Sequence, residues 1–367
     1  MTEQRRALFL FPTDRMGGAE RITRTLAENA ARSGRFDSIE CFILCGSRSG
    51  TLDNLMQLGN VTLNYSGAPN ERRGLVALLR TLARTRYELV FSSHTHLNAA
   101  TSAMRAVRLL RTQRLVSRES TLIFERTFKG VGRLFPFLYK FYGRQDLIIC
   151  QTGRMRESLD RNTHHRFQDR LAVLPNPIDI GRIDRGKREL VPHTVLAIPE
   201  GRRLIGWCGR LSAVKSPLRA LEVLRELRHR GWEDAHLLII GDGPMRAELE
   251  IRARELDIDR FVTFAGYMSN PVPALMKCKL GLLTSDVEGF PNVILEMLAC
   301  GVEGIATTDC AGGLSDIPSL HIAKAFTAAA LADALERAYA DGRDASVSEF
   351  LAARSPSVYL SNVMADS

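Results

Sequence analysis

The chain has 367 residues and 45% of them are apolar, so it can fill more than one hydrophobic core, and two domains are expected. No apolar run approaches the roughly 18–20 residues of a membrane-spanning helix. The seven cysteines show no Cys-x-x-Cys spacing, which argues against a zinc site and favours reduced thiols in a cytoplasmic protein.

The charge is distributed unevenly along the chain. Residues 1–175 hold 28 Lys and Arg against 15 Asp and Glu, a net charge of +13. Residues 176–367 hold 22 against 26, a net charge of −4. The first part is therefore expected to meet a negatively charged partner.

Strand-like and helix-like segments alternate from the beginning of the chain, which predicts an α/β fold with parallel sheets. In the first part we predict a helix at 19–33 and strands at 7–11, 38–44, 87–92, 115–117, 146–150 and 171–175. Pro175-Asn176-Pro177 then forms a stiff, non-helical joint.

After a polar stretch the alternation begins again. We predict strands at 204–208, 236–240, 261–264, 280–284 and 304–307, and helices at 217–230 and 245–256. The sequence thus predicts an N-terminal domain of residues 1–175, a C-terminal domain of residues 176–355 and a tail of residues 356–367.

Ligands of open α/β sheets bind at the carboxyl ends of the strands, so the loops there are candidate sites. After the first predicted strand, Gly17 and Gly18 open a helix and would let the backbone approach a phosphate closely. The surrounding residues match neither a Gly-x-Gly-x-x-Gly fingerprint nor a Walker loop.

Two further loops follow strands of the second part. Arg210 and Lys215 could clamp a diphosphate, although two solvated surface cations explain them equally well. Gly241-Asp-Gly243-Pro244 is a tight turn, in which the glycines could serve conformation alone.

Residues 288–296 read Glu-Gly-Phe-Pro-Asn-Val-Ile-Leu-Glu and follow the buried run that ends at Ser285. A strand, a glycine-proline turn and a helix place backbone N–H groups and a positive dipole end where an anionic ligand can sit. The alternative is that Glu288 and Glu296 are only solvated partners of the helix dipole.

In order and spacing, these loops resemble the GT-B glycosyltransferases of family 4, the retaining group. The resemblance extends over nearly the whole chain and is most specific in its second part. The matching stretches are Gly17-Gly18-Ala19-Glu20, Gly209-Arg210-Leu211 with Lys215, Gly241 to Pro244, Val262-Thr-Phe-Ala-Gly266, Glu288 to Glu296, Ala299-Cys-Gly301 and Gly312-Gly313.

The resemblance implies two Rossmann-like, doubly wound domains that face each other across a cleft, with the tail packing back on the first domain. It also implies catalytic roles for Arg210, Lys215 and Glu288. The two cations would bind the donor diphosphate and stabilise its developing charge. Glu288 would position the sugar.

On the donor side, the resemblance implies a nucleotide-sugar co-substrate, UDP-sugar in preference to GDP-sugar, with neither a cofactor nor a metal. Glu296 would bind the ribose hydroxyls. The other donor-binding candidates are Gly17, Gly18, Gly241, Gly243, Tyr267, Phe290, Pro291, Asn292 and Val293. Asp257-Ile-Asp259 looks like a metal motif but follows a helix, so we interpret it as surface charge.

One departure from the family pattern concerns the acceptor side. Many relatives carry a histidine after a middle strand of the first domain, where this chain has Arg118 and Glu119. His94 and His96 also follow a predicted strand and are further acceptor-side candidates. The alternative for the two histidines is that they cap a loop.

Basic and aromatic residues are concentrated in two segments of the first part. Residues 104–114 place arginines at every third position, which predicts a basic helical stripe of Arg105, Arg108, Arg111 and Arg114. Residues 128–144 mix Lys129, Arg133, Lys140 and Arg144 with apolar and aromatic side chains, a composition typical of a segment at an anionic membrane surface. These side chains are Phe135, Phe137, Leu138, Tyr139, Phe141 and Tyr142. Core packing explains some aromatics, and no nucleic-acid-binding motif accompanies the charge.

A lipid-diphosphate-linked saccharide acceptor explains both the charge and the aromatics. Together with the resemblance, this predicts a retaining glycosyltransferase on the cytoplasmic face of the inner membrane, acting in lipopolysaccharide, capsule or exopolysaccharide synthesis and closing about the joint at residue 176. A nucleotide-sugar 2-epimerase and a catalytically silent nucleotide-sugar-binding scaffold remain as alternatives.

Overall fold

A computed structural model describes residues 4–82, 85–125 and 130–365. The chain divides into two compact units, and the first consists of Met1–Pro177 together with Arg354–Ser367. The second is Ile178–Ala353. Each unit is built on a parallel sheet, with seven strands in the first and six in the second, counted over the described residues.

The sheet of the first unit has the strand order β3-β2-β1-β4-β5-β6-β7. Its interior strand β1 is apolar and without exposed surface from Ala7 to Phe11, as expected when helices cover both faces of a parallel sheet. The strands are β1 Arg6–Phe11, β2 Ser38–Ile43, β3 Val61–Tyr65, β4 Arg86–Ser92, β5 Arg111–Arg118, β6 Leu147–Cys150 and β7 Leu171–Val173.

Helices follow most of these strands and shield the sheet. The α-helices before the second unit are α1 Gly18–Arg32, α2 Glu71–Leu82, α3 Thr95–Ala106 and α4 Gly153–Asn162. The 3₁₀ helices of this unit are Asp53–Leu58, Gly130–Phe141 and Gln168–Arg170.

The sheet of the second unit has the order β10-β9-β8-β11-β12-β13. Its strands are β8 Arg203–Cys208, β9 Ala235–Ile240, β10 Val262–Gly266, β11 Leu280–Leu283, β12 Gly304–Thr307 and β13 Leu320–Ile322. Its helices are α5 Ile180–Gly186, α6 His193–Leu196, α7 Pro217–His229, α8 Arg246–Glu255, α9 Val272–Leu275, α10 Asn292–Ala299, α11 Ala328–Asp341 and α12 Val347–Ala352, with 3₁₀ turns at Ala213–Lys215 and Asp259–Phe261.

The last helix, α13 Pro356–Met364, belongs to the first unit. Its Tyr359, Leu360 and Val363 are buried in the same core cluster as β1 and α1. Arg114 of β5 donates to the carbonyl oxygen of Val363 at 2.6 Å, which fixes the end of this helix to the sheet.

The predicted basic stripe over residues 104–114 is wrong. Helix α3 ends at Ala106 and strand β5 begins at Arg111, so the four arginines occupy a helix, a turn and a strand. Arg108 has φ 60°, in the left-handed region that interrupts a helix. Phe128 and Lys129, at the beginning of the predicted basic and aromatic segment, lie outside the described residues.

Strand order reverses once in each sheet, between β1 and β4 in the first and between β8 and β11 in the second. The loops that leave neighbouring strands in opposite directions open a crevice there, where ligands of doubly wound sheets bind. Within the described parts of the chain, no helix combines the length and the apolar composition needed to cross a membrane.

Candidate functional site

The loops that follow β8 and β11 meet at the switch point of the second sheet and are joined by hydrogen bonds. The Thr284 hydroxyl donates to the Lys215 carbonyl at 2.9 Å, and the Ser216 hydroxyl donates to Asp286 at 2.7 Å. Arg219 donates to the Thr284 carbonyl at 2.7 Å. The two loops therefore hold each other in place at the crevice.

Lys215 and Glu288 are brought together by these loops. The Lys215 ammonium donates to Glu288 Oε1, and the Ser285 hydroxyl donates to the same oxygen at 2.6 Å. The backbone N–H of Glu288 donates to the carbonyl of Cys310 at 2.9 Å, which fixes the turn that carries the carboxylate. Two of the three predicted catalytic residues thus form one ion pair.

Arg210 lies on the same loop as Lys215, and its side chain is exposed. The N–H of the next residue, Leu211, donates to the carbonyl of Asp242 at 3.0 Å, which joins this loop to the one after β9. The loop after β8 therefore carries two cations, and the exposed guanidinium of Arg210 is one that a diphosphate can reach.

Gly241 and Gly243 are required by the close approach of the loops after β8 and β9. Gly241 has φ 138°, and a Cβ there would collide with the carbonyl oxygen of Gly209. A Cβ on Gly243 would collide with the carbonyl of Leu211. Both glycines are therefore needed for the backbone conformation, because only a residue without a side chain lets the loop that carries Arg210 pack this closely.

Helix α10 begins where the sequence predicts it, directly after the Gly-Phe-Pro turn. Pro291 takes the N-cap position with extended backbone, φ −82° and ψ 90°, and Asn292 is the first helical residue. Phe290 is buried against the core, while Asn292 and Val293 are half-buried. The turn therefore directs the first N–H groups of α10 to the carboxyl end of the sheet.

Glu296, in the second turn of α10, has a partner that sequence reasoning missed. Its side chain is 7% exposed and accepts a hydrogen bond of 2.8 Å from Arg182 of α5. Arg182 lies in the polar stretch that shows no motif, 114 positions before Glu296, so only the folded chain reveals the pair.

Tyr267 directly follows β10 and is 78% exposed. Gly266 before it has φ 75°, and its carbonyl accepts a hydrogen bond of 2.8 Å from the N–H of Gly241. Tyr267 therefore lies in the loop beside the Gly241 turn, at the same end of the sheet as the Arg210 loop.

In the first unit, Gly17 is the N-cap of α1 and Gly18 is its first residue, and both are exposed. Glu20 of the same turn lies 3.1 Å from His94 Nε2. Burial would raise the pKa of Glu20, but the hydrogen bond and charge of His94, with backbone donors, outweigh it and lower this pKa.

His96 has a carboxylate partner as well. Its Nε2 lies 3.0 Å from Glu71 Oε2, and this contact lowers the pKa of Glu71 despite partial burial. The rings of His94 and His96 are 5.9 Å apart. His94 is the N-cap residue of α3, but its side chain makes no capping bond, so the two imidazoles form a histidine–carboxylate cluster with Glu20 and Glu71.

Arg118 is buried at the end of β5, with 1% of its surface exposed. It donates to the Ser93 hydroxyl at 2.8 Å and to the Asn176 side chain at 2.6 Å. Burial lowers the pKa of its guanidinium from the ordinary value. Its side chain is therefore bound to the joint that ends the first unit.

Glu119 is equally buried and is surrounded by donors. Burial raises the pKa values of Tyr139 and Tyr142 well above the ordinary value of a tyrosine, and the charge of Glu119 raises them further. Among the described residues, four side chains donate to the Glu119 carboxylate: Tyr142 at 2.6 Å, Tyr139 at 2.8 Å, Asn98 at 3.0 Å and Thr95 at 3.3 Å.

No three His, Cys, Asp or Glu side chains gather as a metal site among the residues that the structure describes. Asp257 and Asp259 are both exposed, in agreement with their interpretation as surface charge.

Two family models match this chain, and together they cover most of it. The model described as Glycosyltransferase Family 4 matches residues 16–182, and the one described as Glycosyl transferases group 1 matches residues 202–341. The chain belongs to the family 4 glycosyltransferases.

Two curated relatives of this glycosyltransferase act on lipid-borne acceptors, according to their names. A Campylobacter jejuni enzyme, GalNAc-alpha-(1->4)-GalNAc-alpha-(1->3)-diNAcBac-PP-undecaprenol alpha-1,4-N-acetyl-D-galactosaminyltransferase, is 26% identical over 79% of this chain and 76% of its own length. A Mycobacterium tuberculosis GDP-mannose-dependent alpha-(1-6)-phosphatidylinositol dimannoside mannosyltransferase is 32% identical over 44% of this chain and 41% of its own.

Solved glycosyltransferase structures share the fold. The lipopolysaccharide outer core galactosyltransferase WaaB matches with a TM-score of 0.70 at 17% identity, over 98% of this chain and 97% of its own. Anabaena HepE in complex with UDP and glucose matches with a TM-score of 0.70 at 16% identity, over 98% and 95%. The predicted α/β GT-B fold with Rossmann-like sheets is confirmed.

Proposed function

We propose that this glycosyltransferase moves a sugar from a nucleotide-sugar donor to a lipid-linked saccharide, with retention of the anomeric configuration, in the synthesis of a surface polysaccharide such as lipopolysaccharide, capsule or exopolysaccharide. The observation that carries the proposal is the Lys215–Glu288 pair at the switch point of the second sheet, with exposed Arg210 on the same loop as Lys215. This arrangement offers cations to a diphosphate and a carboxylate to a sugar.

In the proposed reaction, Arg210 and Lys215 bind the diphosphate and stabilise the negative charge that grows on it as the glycosidic bond breaks. Lys215 then exchanges its contact with Glu288 for one with a phosphate oxygen. Glu288 is left beside the sugar, where it positions the ring, and Glu296 binds the ribose. The cations take the place of a metal ion in this scheme.

A UDP-sugar is our preferred donor. HepE, which shares the fold, has been crystallised with UDP and glucose. The mannosyltransferase of Mycobacterium tuberculosis is GDP-mannose-dependent by name, so GDP-sugars belong in every donor panel. Backbone next to Tyr267 and Gly241 would meet the base and the phosphates.

The first unit would bind the acceptor. The net charge of +13 over residues 1–175 suits an acceptor on a diphosphate-linked lipid, the kind that the name of the Campylobacter jejuni relative specifies. Imidazole and carboxylate groups of His94, His96, Glu20 and Glu71 would take hydrogen bonds from saccharide hydroxyls. Buried Arg118 and Glu119 would support this edge from inside.

We also propose that the enzyme sits at the cytoplasmic face of the inner membrane, on anionic lipid. The 3₁₀ helix Gly130–Phe141 exposes Leu134, Phe137 and Phe141 by 57%, 56% and 59%. Exposed Arg133 and Lys140 lie among them. An apolar face flanked by cations suits the boundary between lipid headgroups and acyl chains.

Transfer is tested with UDP- and GDP-sugars and an undecaprenyl-diphosphate-linked saccharide, with product anomers assigned by NMR. Wild-type enzyme should form an α-linked product from an α-linked donor. Lys215→Ala should lower kcat about a hundredfold or more, because one stabilising charge is lost in the transition state. Lys277→Ala, at an exposed lysine of the same unit, should match wild type.

Other outcomes support the alternatives. Release of a free isomer of the nucleotide-sugar without an acceptor would indicate the 2-epimerase. Tight nucleotide binding without turnover would indicate the silent scaffold. Unchanged turnover in Lys215→Ala would contradict the phosphate clamp.

A further inference from the structure

A second ion pair of the second unit lies outside the Lys215–Glu288 clamp. The Glu296 carboxylate is 7% exposed, and Arg182 Nη2 donates to its Oε1 at 2.8 Å. A carboxylate removed from water to this extent is costly unless a cation or several donors compensate it. Arg182 supplies that compensation from another helix.

Arg182 is itself held in a defined place. It lies in the first turn of α5, where the Asp179 side chain caps the helix by accepting from the Arg182 N–H at 2.9 Å. The next residue, Ile183, is fully buried in the core of the second unit. The backbone at Arg182 is therefore fixed on both sides, and its guanidinium approaches Glu296 from a rigid base.

The pair is not sealed inside the protein. The Arg182 side chain is 28% exposed, and α10, which carries Glu296, begins at the switch-point crevice. A carboxylate can select a ribose over a deoxyribose when its oxygens are held facing the ribose hydroxyl. A planar guanidinium fixes a carboxylate in this way better than a flexible ammonium does.

We propose that Arg182 is a positioning residue that orients Glu296 toward the ribose hydroxyls of the nucleotide. The inference rests on the proposed function, which assigns Glu296 to the ribose. It adds a specificity-determining residue that does not touch the reacting atoms. A purely structural ion pair would behave differently, because its loss would weaken the binding of all nucleotides to a similar extent.

The test is calorimetric titration of the full-length enzyme with UDP and 2′-deoxy-UDP, repeated with GDP and 2′-deoxy-GDP. Wild type should bind the ribonucleotide about tenfold or more tightly, since a hydrogen bond to a charged group is at stake. Glu296→Gln and Arg182→Ala should each reduce this ratio to about twofold. The double variant should lose no more, because the two residues act as one unit.

Two further variants complete the design. Arg182→Lys keeps the charge but not the planar fork, so its ratio should fall between those of wild type and Arg182→Ala. It decides the question if the alanine variant does not fold. Arg185→Ala, at an exposed arginine of the same helix, should keep the wild-type ratio.

The outcomes distinguish a failure of the Arg182 role from a failure of the proposed transfer reaction. A wild-type ratio in both Arg182 variants would overturn the positioning role and leave the donor site intact. Wild-type enzyme that binds the nucleotides without ribose preference would overturn the roles of both Glu296 and Arg182, while transfer activity could still stand. Failure of wild type to bind either nucleotide would overturn the proposed donor, and the inference with it.

Discussion

At the scale of single residues, the two glutamates of the 288–296 motif are both neutralised within the second unit. Lys215 pairs with Glu288, and Arg182 pairs with Glu296. Arg210, on the same loop as Lys215, is exposed. In the proposed reaction, the donor diphosphate competes with Glu288 for Lys215, so the loss of Glu288 and the loss of Lys215 should have opposite effects on nucleotide binding.

Glu288→Gln should tighten the binding of UDP or GDP by about threefold to tenfold, because Lys215 is released to the phosphates. Turnover should fall, because the sugar loses a positioned carboxylate. Lys215→Ala should change affinity in the opposite direction. Calorimetry of the nucleotide and steady-state kinetics of transfer measure the two effects separately.

The matched control is Glu303→Gln, which breaks the exposed Lys279–Glu303 pair of the same unit and should leave both quantities unchanged. Weaker nucleotide binding by Glu288→Gln would mean that Glu288 assists the diphosphate instead of competing with it.

At the scale of elements, strongly apolar strands could be predicted and weak ones could not. The prediction of 7–11 agrees with β1 Arg6–Phe11, and the prediction of 304–307 matches β12. β3 was missed because Val61–Tyr65 is exposed or half-buried beyond its first residue and mixes polar with apolar side chains. β13 has three residues, too few to show any pattern.

The same contrast applies to the site. Loops at strand ends could be located from the sequence, because parallel strands bring their carboxyl ends to one edge. The pairing of Arg182 with Glu296 could not, because it joins positions 114 apart. The arginines of residues 104–114 misled the prediction, since a spacing of three suits a helix and also fits a helix end, a turn and a strand.

The 3₁₀ helix Gly130–Phe141 combines an exposed face with a buried anchor. Tyr139 of this helix donates to Glu119 at 2.8 Å. Tyr142, the first residue after the helix, donates to the same carboxylate at 2.6 Å. Both tyrosines are buried, whereas Phe137 and Phe141 point outward. The two tyrosines thus attach this segment to the end of the sheet. The two phenylalanines are already exposed, so they can contact a membrane surface while the segment keeps its structure.

Phe137→Ser with Phe141→Ser should reduce binding to vesicles that contain anionic phosphatidylglycerol by about tenfold or more, because two large apolar contacts with lipid are lost. Co-sedimentation measures the effect. Raising the salt concentration should weaken wild-type binding as well, since the neighbouring cations act through screened charge.

Val76→Ser is the control, because Val76 is an exposed apolar residue of α2 in the same unit. Binding that is insensitive to both the phenylalanine substitutions and salt would argue against docking through this helix.

At the scale of the whole molecule, the chain is two units with separate cores. Over the described residues, the buried clusters of the second unit contain no residue of the first, and each sheet has its own switch point. Units with their own cores can unfold separately. Helix α13 comes last in the sequence but belongs to the first unit, so a substitution in it can test whether the two units unfold separately.

Leu360→Ala should lower the stability of the first unit by about 2–4 kcal/mol, because a buried leucine leaves a cavity beside Tyr359 and Val363. The transition of the second unit should not move. Scanning calorimetry with UDP or GDP identifies that transition, because a ligand raises the melting temperature of the unit that binds it. Val358→Ala, at an exposed position of α13, should change neither transition. A shift of the nucleotide-sensitive transition in Leu360→Ala would show that the two units unfold as one cooperative body, and stability in this family would then have to be argued for the chain as a whole.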